Sequence, residues 1–138
     1  MDELRLYLSP PLWERMRAHV NREAPEEACG LVAGTGNRAA QVFPITNQLH
    51  SPTRYRMEPK EQLAAFNEMD AEGWELLAIY HSHPYGPARP SVTDVDEAYY
   101  PDSFYLIWSR RNDAWDCLGF LIQDEKIRQI EVVLSPSE

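Results

Sequence analysis

The chain has 138 residues, 43% of them hydrophobic and 25% charged, with 22 acidic against 13 basic residues and a net charge of −9. That size fits a single domain over 1–138, and the composition is globular rather than disordered or fibrous. Nucleic acid and membrane are both excluded as expected partners, because the basic residues form no stripe and no apolar run approaches a membrane span. The acidic start, MDELRLYLSPP, lacks the basic-then-apolar pattern of a secretion signal, so a cytoplasmic location is expected. Cys29 and Cys117 each sit in an apolar run and read as buried thiols. Two cysteines exclude a disulfide framework or a CxxC zinc ribbon.

Residues 4–8 alternate as a strand does. Ser9 is the candidate N-cap of a helix with Pro10 at its first position, and Leu12, Met16 and Val20 give that helix an apolar face before Pro25 ends it. His19 on this helix is expected to be exposed. Residues 28–34 read as a buried strand that turns at Gly34-Thr35-Gly36 into a hairpin partner at 39–46. An irregular stretch follows from Asn47 to Pro59, with a possible short strand at Tyr55 to Met57. A second helix is expected from Pro59 to about Glu72, its face formed by Leu63, Phe66 and Met69, with Gly73 as its stop. Residues 74–80 are nearly all apolar, the pattern of a strand covered on both faces, and they deliver His81-Ser82-His83-Pro84 at its end. After a proline- and glycine-rich loop, a short helix is expected from about Val92 to Tyr99. Strands at 104–109, 117–122 and 127–134 complete the order β-α-β-β-α-β-α-β-β-β, with turns at Asn112-Asp113 and Asp124-Glu125-Lys126. The fold class is α/β: a mixed sheet with flanking helices. No repeat or linker is visible.

Chemistry concentrates at one place. A catalytic zinc takes three protein ligands and leaves one position open for water. His81 and His83 are two apart on an extended backbone, so both imidazoles project to one side. Their Cα atoms would stand about 6.5–7 Å apart, a span two imidazoles close onto one ion at about 2.0–2.1 Å per bond. Asp94 lies eleven residues beyond His83. Ser91-Val92-Thr93-Asp94 has the form of a capping box, which sets Asp94 in the first turn of a helix and aims its carboxylate rigidly. Taken singly, the histidines could be satisfied polar residues at a strand end, and Ser91 with Asp94 a plain helix cap. Their coincidence within fourteen residues favours the metal.

His81-Ser82-His83-Pro84 followed by Ser91-Val92-Thr93-Asp94 resembles the JAMM/MPN+ metalloprotease signature without a gap. Pro25-Glu26-Glu27-Ala28-Cys29-Gly30-Leu31 is similar to the segment that carries this family's glutamate three residues before a glycine. The run 51–57 and the phrase Gly73-Trp74-Glu75-Leu76 resemble the short prokaryotic branch that includes sulfur-carrier-processing enzymes. The resemblance implies a three-layer MPN/JAMM fold related to cytidine deaminases. It implies zinc held by His81, His83 and Asp94, with Glu27 as general base and Ser91 as donor to the oxyanion. Glu26 is the rival base, but alternation lets only one of the two face the metal. The implied activity is hydrolysis of an amide or isopeptide bond after the C-terminal Gly-Gly of a small ubiquitin-like or sulfur-carrier protein. The adduct could be cysteine, another amino acid or a protein lysine. His50 lies near the expected groove, and residues 85–89 are expected to flank it. The alternative from another class is a non-catalytic MPN scaffold that only binds partners. The H-x-E with P-C-x-x-C of zinc deaminases and the H-E-x-x-H of common metalloproteases are both absent. Oligomeric state is not legible.

Overall fold

A computed structural model describes residues 4–135 of the chain. In order they form β1 (Arg5–Leu8), α1 (Pro10–Glu23), β2 (Cys29–Thr35), β3 (Arg38–Ile45), α2 (Pro59–Glu72), β4 (Glu75–His83), α3 (Val92–Asp96), β5 (Phe104–Arg111), β6 (Ala114–Gln123) and β7 (Lys126–Leu134). This is the expected sequence of elements. The strands lie in the order β1-β3-β2-β4-β5-β6-β7, and β1 pairs with β7 as well as β3, which closes the sheet into a barrel. The β4–β5, β1–β3 and β1–β7 pairs are parallel and the others antiparallel, so the sheet is mixed as expected. Its closure was not anticipated. Strand patterns say which face is apolar, not which edge finds a partner.

Alternation along the central strands divides the core in two. Val32, Ala78 and Tyr80 join Met16 and Val20 of α1 in one cluster. Leu31, Ile79 and Ile107 join Ala65 and Met69 of α2 in the other. Each large apolar side chain buried this way contributes about 1.5–3 kcal/mol, enough to fix which face of β4 looks at which helix. Gly30 has no freedom to be larger, because a Cβ there would run into the Tyr80 ring.

Several boundaries and faces differ from expectation. Leu63 on α2 is 60% exposed, while Ala65 and Met69 are buried. Three-residue steps drift about 60° each around a helix of 3.6 residues per turn, so Leu63 rotates out of the face that Met69 occupies. Ser9 is the N-cap of α1, but it accepts the Leu12 and Trp13 amides through its carbonyl and makes no side-chain cap. The expected strand at Tyr55 to Met57 reduces to one bridge, Asn47 with Met57. The third helix stops at Asp96, β4 runs on through His83, and β6 begins at Ala114. No helix among the described residues is long and apolar enough to cross a membrane.

Candidate metal centre

Cys29 of β2 stands opposite His81 of β4 in antiparallel register. His81 and His83 lie on the same face of β4, and both are buried. Asp94 arrives from α3, where it is the third helical residue. Its carboxylate accepts the Ser91 amide at 2.8 Å and Ser91 Oγ accepts the Asp94 amide at 3.0 Å, the reciprocal capping box expected from the sequence. His81 Nε2 and His83 Nε2 are 3.0 Å apart. His83 Nε2 lies 3.0 Å from Asp94 Oδ2 and His81 Nε2 lies 3.2 Å from Asp94 Oδ1. The three ligand atoms fall within 4.8 Å of one another.

The donor set fits a cation. His83 Nδ1 is 2.8 Å from the Pro87 carbonyl, which can only accept, so Nδ1 carries the ring proton. Neutral His83 therefore points an Nε2 lone pair at a carboxylate and at a second imidazole. Protons on both Nε2 atoms could each reach an Asp94 oxygen, but they would then face each other across the 3.0 Å between the two rings. A metal ion satisfies both nitrogens and the carboxylate at once, and two nitrogens with one oxygen suit zinc. Burial disfavours charge on His81 and lowers its pKa despite the Asp94 hydrogen bond. Burial opposes charge on His83 too, but Asp94 and the Pro87 carbonyl outweigh it and lift the pKa. For Asp94, burial pushes upward, yet hydrogen bonds from His81 and His83 hold the carboxyl well below the usual carboxylate range. His81 Nδ1 is buried without a hydrogen-bond partner. Its ring is instead held by Tyr55, stacked at 4.7 Å between centroids and 28° between planes.

Glu27 comes to the same face by register. Continuing the Cys29–His81 ladder sets Ala28 opposite Ser82 and Glu27 opposite His83. Ser82 supports that continuation, because its Oγ accepts the Ala28 amide at 2.8 Å and its amide donates to the Ala28 carbonyl at 3.0 Å. Glu27 is 4% exposed. Burial pushes its pKa up to about 8, against the pull of His83 and with the push of Asp94. Glu26 points away, its Oε1 3.2 Å from His50 Nδ1 at the surface. Alternation thus separates the two glutamates as expected, and His50 is engaged with Glu26 outside the cluster. Ser91 is exposed beside Asp94 as the cap of α3.

Three supporting residues escaped the sequence reading. Ser82 ties β2 to β4, as above. Asn47 donates to the Glu27 and Arg54 carbonyls and accepts the Leu49 and Arg56 amides, fixing the 47–57 loop against Glu27. Asparagine at a loop entry was the available signal, since its side chain mimics backbone in turns. Tyr55 had no local signal, because its partner lies 26 residues away. His19 corrects an expectation: it is buried, with Nδ1 2.7 Å from the Tyr80 hydroxyl. It follows Met16 by three residues and so shares the inner face of α1. Cys29 and Cys117 are buried as expected, and burial raises the Cys29 thiol to about 12, which leaves it unreactive.

A model of the family described as prokaryotic homologs of the JAB domain matches residues 9–118. A probable TtuB-protein conjugate cleaving protease of Thermus thermophilus is 48% identical over 96 residues, covering 69% of this chain and 64% of the relative. The match thus spans somewhat less than two thirds of that protease. A CysO-cysteine peptidase of Mycobacterium tuberculosis is 39% identical over 109 residues, covering 78% of this chain and 75% of the peptidase. Among solved structures, a Desulfitobacterium hafniense protein determined in solution superposes with a TM-score of 0.85 at 36% identity, over 96% of this chain and 94% of its own.

Proposed function

This chain belongs to the family of prokaryotic homologs of the JAB domain, and from that premise we propose that it is a cytoplasmic zinc peptidase. Its substrate is a small ubiquitin-like or sulfur-carrier protein, cut at the amide or isopeptide bond after a C-terminal Gly-Gly. Relatives named for cleaving TtuB-protein conjugates and CysO-cysteine support that substrate class. The observation that carries the reading is the convergence of His81, His83 and Asp94 with a buried glutamate opposite His83.

His81, His83 and Asp94 would hold the metal. When bound, zinc supplies a Lewis acid that acidifies water and polarises the scissile carbonyl. Everything else falls to the chain. Glu27 has no side-chain hydrogen bond among the described residues, so its carboxylate is free to take the proton of the attacking water at one Oε. Burial raises its proton affinity, and a proton acceptor works best with a pKa near the working pH. Glu27 then returns the proton to the leaving amine nitrogen. Ser91 Oγ accepts the Asp94 amide and so keeps its own proton to donate to the carbonyl oxygen as charge develops there. Asn47 and Ser82 hold the Glu27 backbone in place on either side. The scaffold reading is weaker, since a binding module has no use for a buried glutamate facing an intact ligand set.

Mass spectrometry of a Gly-Gly carrier bearing a C-terminal extension tests the proposal. Incubation with zinc-loaded protein is expected to trim the carrier to Gly-Gly, and a chelator is expected to stop it. An untouched carrier, with zinc bound, would favour the scaffold.

A further inference from the structure

The sheet face that carries His81 continues sideways through Ile107 of β5 to Leu118 of β6, by direct pairing in register. Two strand spacings, about 9.5 Å, separate Leu118 from β4. Pro87 and Arg89, in the loop between β4 and α3, line a groove of about 420 Å³ with Leu118, Phe120 and Ile127. Pro87 is also the residue whose carbonyl holds His83 Nδ1 at 2.8 Å, so groove and metal centre stand on either side of one short loop. Arg89 is the single charged residue on the groove lining, and no acid there answers it. It is exposed, and among the described residues it has no ion pair, side-chain hydrogen bond or ring contact. Arg54, on the Tyr55 side of the centre, is by contrast already paired with Glu97 at 3.5 Å.

We propose that Arg89 receives the free α-carboxylate of a short C-terminal extension released beyond Gly-Gly, so that the enzyme selects linear amide adducts over lysine isopeptides. The proposal rests on the peptidase reading above. A guanidinium offers parallel N–H donors in a planar fork that matches a carboxylate. In the uncut conjugate the carboxyl of Gly-Gly is consumed in the scissile amide, so the tail brings no terminal carboxylate to the centre. A lysine joined through Nζ brings none either, because its backbone runs on in the acceptor protein. Only a linear extension ends in one. The reach agrees. Arg89 precedes Ser91, the donor to the scissile carbonyl, by two residues, which sets their Cα atoms within about 7 Å. The carboxylate of the first departing residue lies about 3.3–3.6 Å beyond the scissile nitrogen, and each further residue adds as much. Arg89 therefore meets the carboxylate of an extension of one to three residues. The apolar floor of Leu118, Phe120 and Ile127 beside it lowers the local dielectric and strengthens that pair.

The probes are synthetic peptides in which Gly-Gly is followed by one, two, three or six alanines, each made as the free acid and as the C-terminal amide. A Gly-Gly isopeptide of Nα-acetyl-lysine amide stands for the other linkage. Alanine keeps a thiol away from the zinc. Cleavage by the zinc-loaded enzyme is followed by mass spectrometry, and binding by NMR in the Glu27→Gln background, each with and without Arg89→Gln or Arg89→Lys. At one of the lengths from one to three, the acid is expected to exceed the amide about 10-fold in affinity and kcat/KM, in the range a hydrogen-bonded charge gives. At six the two are expected to differ by less than about twofold, and the isopeptide is expected to behave as the amides do. Arg89→Gln is expected to bring the acid-to-amide ratio below about twofold, Arg89→Lys to keep part of it, and salt at about 1 M to weaken it. An Asp placed before Gly-Gly in the amide is expected not to replace the terminal carboxylate. Equal acid and amide, a ratio unchanged at six residues or in Arg89→Gln, or an upstream Asp that restores it, overturns the assignment. Acid-dependent binding without cleavage supports the Arg89 site and defeats the peptidase reading. Cleavage indifferent to the terminus defeats the Arg89 site alone, and neither binding nor cleavage defeats both.

Discussion

Tyr80 and His81 are neighbours on β4, yet they belong to two different buried imidazole clusters, one on each face of the sheet. Toward α1, His19 meets the Tyr80 hydroxyl at 2.7 Å. Burial, with a smaller push from Arg22, draws the His19 pKa down to about 4, so the ring stays neutral and its hydrogen bond is complete. Toward α2, His81 and His83 meet each other and Asp94 at 3.0–3.2 Å. There two Nε2 atoms stand 3.0 Å apart before one carboxylate, and protons placed on both would repel each other. Both clusters bury histidine equally well, so burial does not distinguish a structural imidazole from a ligand. What distinguishes them is whether donors and acceptors balance without an ion.

That contrast can be broken at several points. The largest expected effect short of removing a ligand is Glu27→Gln, which should keep one zinc per chain and lower kcat about 100- to 10,000-fold. Full turnover by this variant would move the base elsewhere. Ser91→Ala removes both a carbonyl donor and a helix cap. It should cost about 100-fold in kcat and about 1 kcal/mol in denaturant unfolding, and Ser91→Thr should restore most of both. Tyr55→Ala frees the His81 ring and should weaken zinc about 10-fold in competition with a chelator, as loss of an orienting partner does. Tyr55→Phe keeps the ring and should bind as the wild type does.

The smallest effect belongs to the other face. The unfolded chain protonates His19 near its ordinary pKa of 6.5, while the native state resists to about 4. The unfolded state thus binds more protons in that window, and stability falls as pH drops from about 6.5 to 4. The His19 share is on the order of 1–3 kcal/mol. His19→Gln should flatten that part of the stability profile without touching metal content. Loss of zinc in this variant would erase the distinction between the two clusters.

The same contrast explains what the sequence made legible. His81, His83 and Asp94 could be read because each is positioned by local rules: two-residue alternation on a strand and an i, i+3 capping box. Glu27 was legible only through family spacing, and its place opposite His83 emerges from the β2–β4 register, a pairing across more than fifty residues. Tyr55 and Ser82 act through partners far away in the chain, which no local pattern reports. His19 was misread because the four-residue rhythm Leu12, Met16, Val20 drew attention from the i+3 neighbour. The mixed sheet and its helices followed from hydrophobic periodicity, whereas barrel closure depends on β1 finding β7, and four residues of alternating pattern name no partner.

The central claim is that three lone-pair donors on one face of β4 and α3 hold a metal ion. Elemental analysis of the wild type beside Asp94→Ala and His19→Gln, each purified without added metal, tests it most directly. One zinc per chain is expected in the wild type and His19→Gln, with none in Asp94→Ala. Equal metal in all three, or no transition metal in any, would contradict it.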